Sequence, residues 1–141
     1  MASLNKFRQF VEDLGKKVHN LNADTLKILL TNTAPVNTNA VKGDLTEISA
    51  GHGYTAGGTA VGSIAYSQTA GIAKLTGNDV VFTASGGTIG PFRYAVLYND
   101  TPTSPADPLI GWADYGSNLT LADGQTFTVD LDQVNGILQV Q

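Results

Sequence analysis

Any chemistry in this 141-residue chain has to start from two histidines and a set of scattered carboxylates. A nucleophile–His–acid site needs an imidazole as its base, and only His19 and His52 can supply one. Neither histidine lies in a nucleophile signature of the G-x-S-x-G type. The chain has no Cys and no zincin, P-loop or EF-hand spacing. The sequence therefore predicts no catalytic site, no cofactor and no metal site.

Paired carboxylates are the second candidate for chemistry. Asp130 and Asp132 stand two residues apart in a run that reads as a strand, which places both on one face. Such pairs can work as acid and base or hold Ca²⁺. More often such pairs form the solvent side of an amphipathic strand, and we favour that interpretation. A similar calcium hypothesis concerns the carboxylates that flank the loop at 99–108: Asp100, Asp107 and Asp114.

A glycine-rich stretch, Gly51–Gly58, nearly matches a dinucleotide-binding fingerprint. Ala56 stands where the third glycine should fall, and the strand before and helix after are missing. We reject that function and interpret the stretch as a flexible surface loop. Its aromatic residue and its glycines suit a contact with a neighbour that orders the loop.

Four aromatic residues in the second half could form a sugar-stacking platform. Their positions within predicted strands favour packing in the core instead. They are Tyr94, Tyr98, Trp112 and Tyr115.

The elements that would position these residues begin with a helix. Six apolar residues recur at spacings of 3, 4, 3, 4 and 3, which puts them on one helical face. This stripe predicts either packing on the chain's own sandwich or contact with a subunit or partner. Its members are Leu4, Phe7, Val11, Leu14, Val18 and Leu21.

The rest of the chain shows short apolar runs separated by turn residues, which predicts many antiparallel strands. The fold class is mainly β, an antiparallel β-sandwich or jelly-roll-like meander with one N-terminal amphipathic helix. We divide the chain into a helical arm, 1–23, and a single β-sandwich domain, 24–141. The predicted strands are 25–31, 60–66, 72–75, 80–84, 92–98, 109–115, 119–121, 126–132 and 134–140.

Charge is distributed unevenly along the sequence. Residues 1–23 carry a net charge of +2, whereas after Arg93 there is no Lys or Arg and there are six Asp. Nucleic-acid binding needs a basic surface, so the main domain is not expected to bind nucleic acid. No apolar run approaches the roughly 20 residues of a membrane span, and no signal-peptide pattern opens the chain. We expect no membrane partner.

Several stretches together carry a resemblance to a known family. The chain resembles small virion structural proteins of tailed bacteriophages that are taken to be head-decoration, or cement, proteins. That family brings no residue-level active site to this sequence. The stretches are Val18–Leu21, Asp24–Pro35, Glu47–Gly58, Ser85–Asp100 and Leu121–Gly124.

The resemblance implies a non-enzymatic protein that is made in the host bacterial cytoplasm and binds the outside of the capsid. Its partners would be the major capsid protein and further copies of itself, as a trimer over threefold positions. A ligand that binds only the assembled lattice stabilises that lattice by mass action. The alternative is a tail-associated or fibre-associated domain that binds a host glycan. A hydrolase using His52 or the Asp130/Asp132 pair is a third hypothesis.

The helical stripe and the local positive charge lead us to place the docking surface in residues 1–23 and 32–58. The predicted partner-binding residues are Phe7, Val11, Leu14, Lys16, Lys17, Val18, Pro35, His52 and Tyr54.

Overall fold

The structure, a computed structural model, describes residues 4–141 and consists of ten strands and one α-helix in that range. A 3₁₀ turn covers Lys42–Asp44. In chain order the elements are β1 (Asn5–Lys6), α1 (Arg8–Gly15), β2 (Leu26–Thr31), β3 (Thr59–Ala60), β4 (Ala65–Thr69), β5 (Ile72–Thr76), β6 (Val80–Thr83), β7 (Ile89–Asn99), β8 (Leu109–Leu121), β9 (Thr126–Val129) and β10 (Leu138–Val140).

A five-stranded antiparallel sheet in the order β1-β8-β7-β2-β3 is the largest layer among the described residues. Its centre is the long β7–β8 pair, whose register runs from Ile89↔Leu121 to Tyr98↔Leu109. The expectation that 92–98 and 109–115 form paired strands is confirmed. The separate strand expected at 119–121 is the far end of β8, because Leu119 pairs with Phe92 across a register shift.

Two smaller antiparallel sheets complete the body. One has the order β10-β5-β4, and the other is the pair β6–β9. The Asp123-Gly124 turn predicted from the sequence joins β8 to β9, and the N–H of Gly124 donates to the carbonyl of Ala84 at 2.8 Å. The mainly β, sandwich-like architecture with one helix near the N-terminus is therefore confirmed.

Alternation along β2 divides the buried residues between the two faces of the large sheet. Leu26, Ile28 and Leu30 belong to the main core between the layers. Leu29 points the other way and packs with a second cluster that includes Phe7. Both faces of this strand are covered, which explains why it is almost continuously apolar.

The helix is much shorter than the stripe predicted, because the stripe is interrupted at both ends. Asn5 pairs with Trp112 as part of a strand, and Lys17 adopts the left-handed conformation with φ 66°. Phe7 and Phe10 are buried at 0 and 1 % exposure, whereas Val11 is 66 % exposed. The segment thus packs on the chain's own body. The prediction of a continuous helical face from residue 4 to residue 21 is wrong.

No helix within residues 4–141 is long and apolar enough to cross a bilayer.

Candidate functional site

A concave surface built from loops lies where β2 ends. Beyond Thr31, β7 continues for residues 89–93 without β2 beside it. The chain turns away there, and an open groove of about 510 Å³ forms between this turn, the segment 46–52 and the start of β7. It is lined by Asn32, Thr33, Thr46, Glu47, Ile48, Ser49, Ala50, Gly51, His52, Thr88, Gly90 and Pro91.

One carboxylate fixes the wall of this groove. Glu47 Oε1 accepts a hydrogen bond from the Tyr54 hydroxyl at 2.6 Å and another from the N–H of Gly57 at 2.6 Å. The Tyr54 oxygen in turn accepts from the N–H of Leu30 at 3.1 Å. Burial, together with the bond to Glu47, raises the pKa of Tyr54, so the phenol stays protonated and keeps donating. The wall is thereby tied directly to β2.

Two glycines allow the stretch 51–58 to lie against the sheets. Gly53 has φ +98°, and a Cβ there would lie 2.1 Å from the carbonyl oxygen of Thr83. Gly58 has φ +81°, and its Cβ would lie 1.9 Å from the carbonyl oxygen of Ile28. Tyr54 between them is only 3 % exposed. The stretch lies at the surface, with residues 51–53, 55 and 56 exposed, but these contacts hold part of it against the sheets, since only glycine permits such close backbone approach at these angles.

His52 lies at the rim of the groove with its side chain exposed. Its ring lies against Gly87, where an added Cβ would meet Nδ1 at 2.4 Å. Its carbonyl accepts from the N–H of Ser85 at 2.9 Å. Among the described residues, no side chain hydrogen-bonds to the His52 ring, so the geometry gives the hydrolase hypothesis no base–acid pair at this position.

The nine predicted partner-binding residues do not form one surface. His52 borders the groove, while Val11, Lys16 and Lys17 are exposed on or just after α1. The remaining five are covered to different degrees: Leu14 and Val18 are half-buried, and Phe7, Pro35 and Tyr54 are buried.

Burial changes the role of three of those residues. The Phe7 ring packs on Trp112 at 4.5 Å between centroids, and Tyr54 belongs to the main core. Pro35 is buried where its loop approaches the body. These three side chains are covered in this fold, and they hold the segments that border the surface.

Three groove residues lie outside the regions that the sequence predicts to dock. They are Thr88, Gly90 and Pro91, whereas Asn32 and Thr33 fall within the predicted region 32–58, although neither is among the nine predicted contact residues. Both groups lie at the ends of β2 and β7, two strands that are far apart in sequence and adjacent in the sheet. Polar and small residues at neighbouring strand ends could have indicated this site.

The aromatic platform is not formed. Tyr94 and Tyr98 are buried at 9 and 1 % exposure, and the half-buried Tyr115 meets Phe127 edge-on at 4.9 Å. Burial raises the pKa of Tyr115 to about 12. Packing in the core, which the sequence favoured, is confirmed for these residues.

Asp132, one member of the carboxylate pair at 130 and 132, has structural partners. β9 ends at Val129, so Asp132 is not a strand residue; it accepts from the N–H groups of Val134 at 2.9 Å and Asn135 at 2.8 Å. The bonds from Asn135, then from Val134, hold the pKa of Asp132 below its usual value. Within residues 4–141, no group of three or more His, Cys, Asp or Glu could hold a metal ion.

The carboxylates around the loop at 99–108 are also engaged. Asp114 pairs with Arg93 at 2.8 Å, and Asp100 pairs with Lys27 at 3.0 Å. Asp100 and Asp114 are thus divided between separate ion pairs, whereas Asp107 lies beside Asp100, and burial raises the pKa of Asp107 above its usual value.

Comparison with protein-family models, with curated proteins and with solved structures gave no significant match to this chain.

Proposed function

We propose that this chain is a non-enzymatic structural protein of a tailed-bacteriophage virion. It binds the outside of the capsid as a trimer and stabilises the assembled lattice. The major capsid protein is its partner, and the groove at the end of β2 is the surface that docks on it.

The observation that carries this proposal is the convergence of three sequence stretches on one groove. The stretches 24–35, 47–58 and 85–100 each carry part of the resemblance to head-decoration proteins. They contribute Asn32 and Thr33, Glu47 to His52, and Thr88, Gly90 and Pro91 to the same lining. A shared contact surface explains why stretches separated by tens of residues would bear one family's pattern.

The construction of the groove suits a protein partner. Its walls are tied to the sheet through Glu47, Tyr54 and Gly58, so that little loop ordering remains to be done on binding. A pre-ordered surface that binds the assembled lattice and not free capsid subunits stabilises the lattice by RT ln(1 + [L]/Kd), about 2.7 kcal/mol per site at a hundredfold excess over Kd.

The first experiment uses virions that lack this protein, to which purified protein is added back. We expect Ser49→Arg and Thr88→Arg, which place a long cation in the groove, to lower the number of copies per particle at least tenfold. Ser117→Arg, at an exposed position of β8 that does not line the groove, is the matched control and should bind normally. Copies per particle are measured by quantitative gel densitometry, and particle stability by the temperature at which DNA is released.

Full occupancy by both groove variants would refute docking through the groove. Deletion of residues 1–23 is a poor test, because it also removes Phe7, Phe10 and Leu21 from the core.

A host-glycan-binding domain of the tail is the alternative, and the hydroxyl, amide and carboxylate groups of the groove favour it. Asn32, Thr33, Glu47 and Ser49 could hydrogen-bond sugar hydroxyls. Immunogold labelling separates the two functions: gold over the head supports the capsid protein, and gold at the tail supports the glycan-binding domain.

A further inference from the structure

The segment around α1 carries an exposed apolar residue and several cations. Val11 is 66 % exposed and borders a depression of about 480 Å³ that Lys6 and Leu14 also line. We call Lys6, Arg8, Val11, Leu14 and Lys17 the helix patch. Within residues 4–141, none of its three cations makes an ion pair within 4.0 Å, whereas the neighbouring Lys16 is paired with Glu12 at 3.3 Å.

The outer face of the β6–β9 pair has the opposite charge around a similar residue. Val81 is 51 % exposed and pairs across the ladder with Thr128. Alternation along both strands brings exposed side chains to this face. We call it the sheet patch: Asp79, Val81, Thr83, Thr126, Thr128 and Asp130.

Two carboxylates lie at one end of the sheet patch. Val80 pairs with Val129, and Asp79 and Asp130 are the residues next to this pair in sequence. Asp79 Oδ1 accepts a hydrogen bond from the N–H of Leu131 at 2.8 Å, and no described cation forms an ion pair with either carboxylate. Both residues are exposed, so this end of the patch is negative and suits a cationic partner.

The two patches lie toward opposite edges of the five-stranded sheet. α1 follows β1, an edge strand, and packs on β8 beside it, whereas β6 packs against β3 at the other edge. A single copy therefore cannot bring its own patches together. Two copies placed side by side can.

We propose that the helix patch of one copy docks on the sheet patch of the next copy. Val11 and Val81 lie at the centre of this contact, and Lys6, Arg8 and Lys17 face Asp79 and Asp130. Because the two surfaces differ, the contact is heterologous, and its repetition closes a ring when the rotation allows. The inference takes the number of copies, three, from the proposed function. What it adds is the pair of surfaces that join the copies.

The experiment uses the purified full chain without capsids, so that it can fail independently of capsid binding. Wild-type protein should sediment as a species of three times the 14.7 kDa chain mass. Val11→Asp removes one patch and Val81→Asp the other, and each variant alone should be a monomer. Val134→Asp, at a 78 % exposed valine outside both patches, is the matched control and should keep the wild-type size.

Mixing the two variants gives the sharpest test. A Val11→Asp chain retains its sheet patch and a Val81→Asp chain retains its helix patch, so an equimolar mixture should form dimers of one of each and nothing larger. Native mass spectrometry with one variant labelled with ¹⁵N identifies these heterodimers. Circular dichroism confirms that both variants are folded.

Three results would overturn the proposal: a monomeric wild-type protein, a Val11→Asp or Val81→Asp variant that keeps the wild-type size, or a mixture that remains monomeric. Any of these could occur while virions still bind the protein through the groove, which would leave the proposed function intact. Conversely, a protein that forms the trimer but does not dock on virions through the groove would contradict the proposed function and leave the contact between copies intact.

Discussion

At the scale of single residues, the buried His19 is the group whose ionisation bears most directly on stability. Asn99 Oδ1 accepts from the N–H of Thr101 at 3.1 Å, which turns Nδ2 toward His19 Nδ1 at 3.1 Å and Asp24 Oδ2 at 2.7 Å. His19 Nδ1 must therefore accept, and the proton of the neutral ring lies on Nε2. Protonation of Nδ1 would make it a donor as well, so that it would face the donating Nδ2 of Asn99.

We expect stability to fall as the pH drops below the ordinary histidine value. Burial lowers the pKa of His19 from 6.5, although the carboxylates of Asp13 and Asp24 act in the opposite direction. Above pH 6.5 both states hold a neutral ring, and the histidine adds no pH dependence. Below it the unfolded chain binds more protons, so the free energy of unfolding falls by up to about 1.4 kcal/mol per pH unit until the folded pKa is reached.

Urea unfolding between about pH 5.5 and 7.5, above the range in which ordinary carboxylates titrate, measures this slope. His19→Asn keeps an acceptor near the Nδ1 position and should flatten the slope. His52→Asn, at an exposed position, should retain it. An equal slope in wild-type protein and in His19→Asn would show that other groups are responsible.

At the scale of elements, the stretch 51–58 depends on close backbone approach. A Cβ at Gly58 would lie 1.9 Å from the carbonyl oxygen of Ile28, so Gly58→Ala must displace the stretch from β2. We expect the free energy of unfolding to fall by about 3 kcal/mol or more, at the upper end of ordinary single substitutions. Gly116 has a similar φ of +85° with open space around it, so Gly116→Ala should cost only the conformational penalty of about 1–2 kcal/mol. Denaturant titration compares the two variants, and equal losses would contradict a role for close approach.

Sequence periodicity correctly predicted an element that is buried along its whole length. It failed where a long-range contact determined the local structure. The alternation of Leu26, Ile28 and Leu30 against Leu29 gave the correct faces of β2 because the strand is buried along its length. The apolar stripe with 3-4 spacing extends beyond α1 in the sequence. Its first part forms β1 and not helix, because β1 pairs with β8, whose residues are more than 100 positions away. Most of the groove lining lies in the region 32–58 that the sequence assigns to docking. Its meeting with Thr88, Gly90 and Pro91 depends on the pairing of β2 with β7, which periodicity does not predict.

At the scale of the whole molecule, the uneven charge of the sequence becomes two surfaces of opposite sign. The net charge of −4 repels like chains at long range, while Lys6, Arg8 and Lys17 at one edge and Asp79 and Asp130 at the other attract them at contact. A contact of this kind has two parts that salt affects differently. Ionic screening weakens the charged rim, whereas burial of Val11 and Val81 is not electrostatic.

The trimer should therefore weaken with added salt without disappearing. Between about 0.05 and 0.5 M NaCl, over which the Debye length falls from more than 10 Å to less than 5 Å, we expect the dissociation constant from sedimentation equilibrium to rise about tenfold. Reversing one side with Thr128→Lys and Asp130→Lys, which leave the hydrogen bond from Leu131 to Asp79 in place, should give a monomer at every salt concentration. Adding Lys6→Asp and Arg8→Asp to that chain should restore the oligomer, because the charges are again complementary with their signs exchanged. An oligomer that ignores salt, or a fourfold variant that stays monomeric, would show that these charges do not face each other.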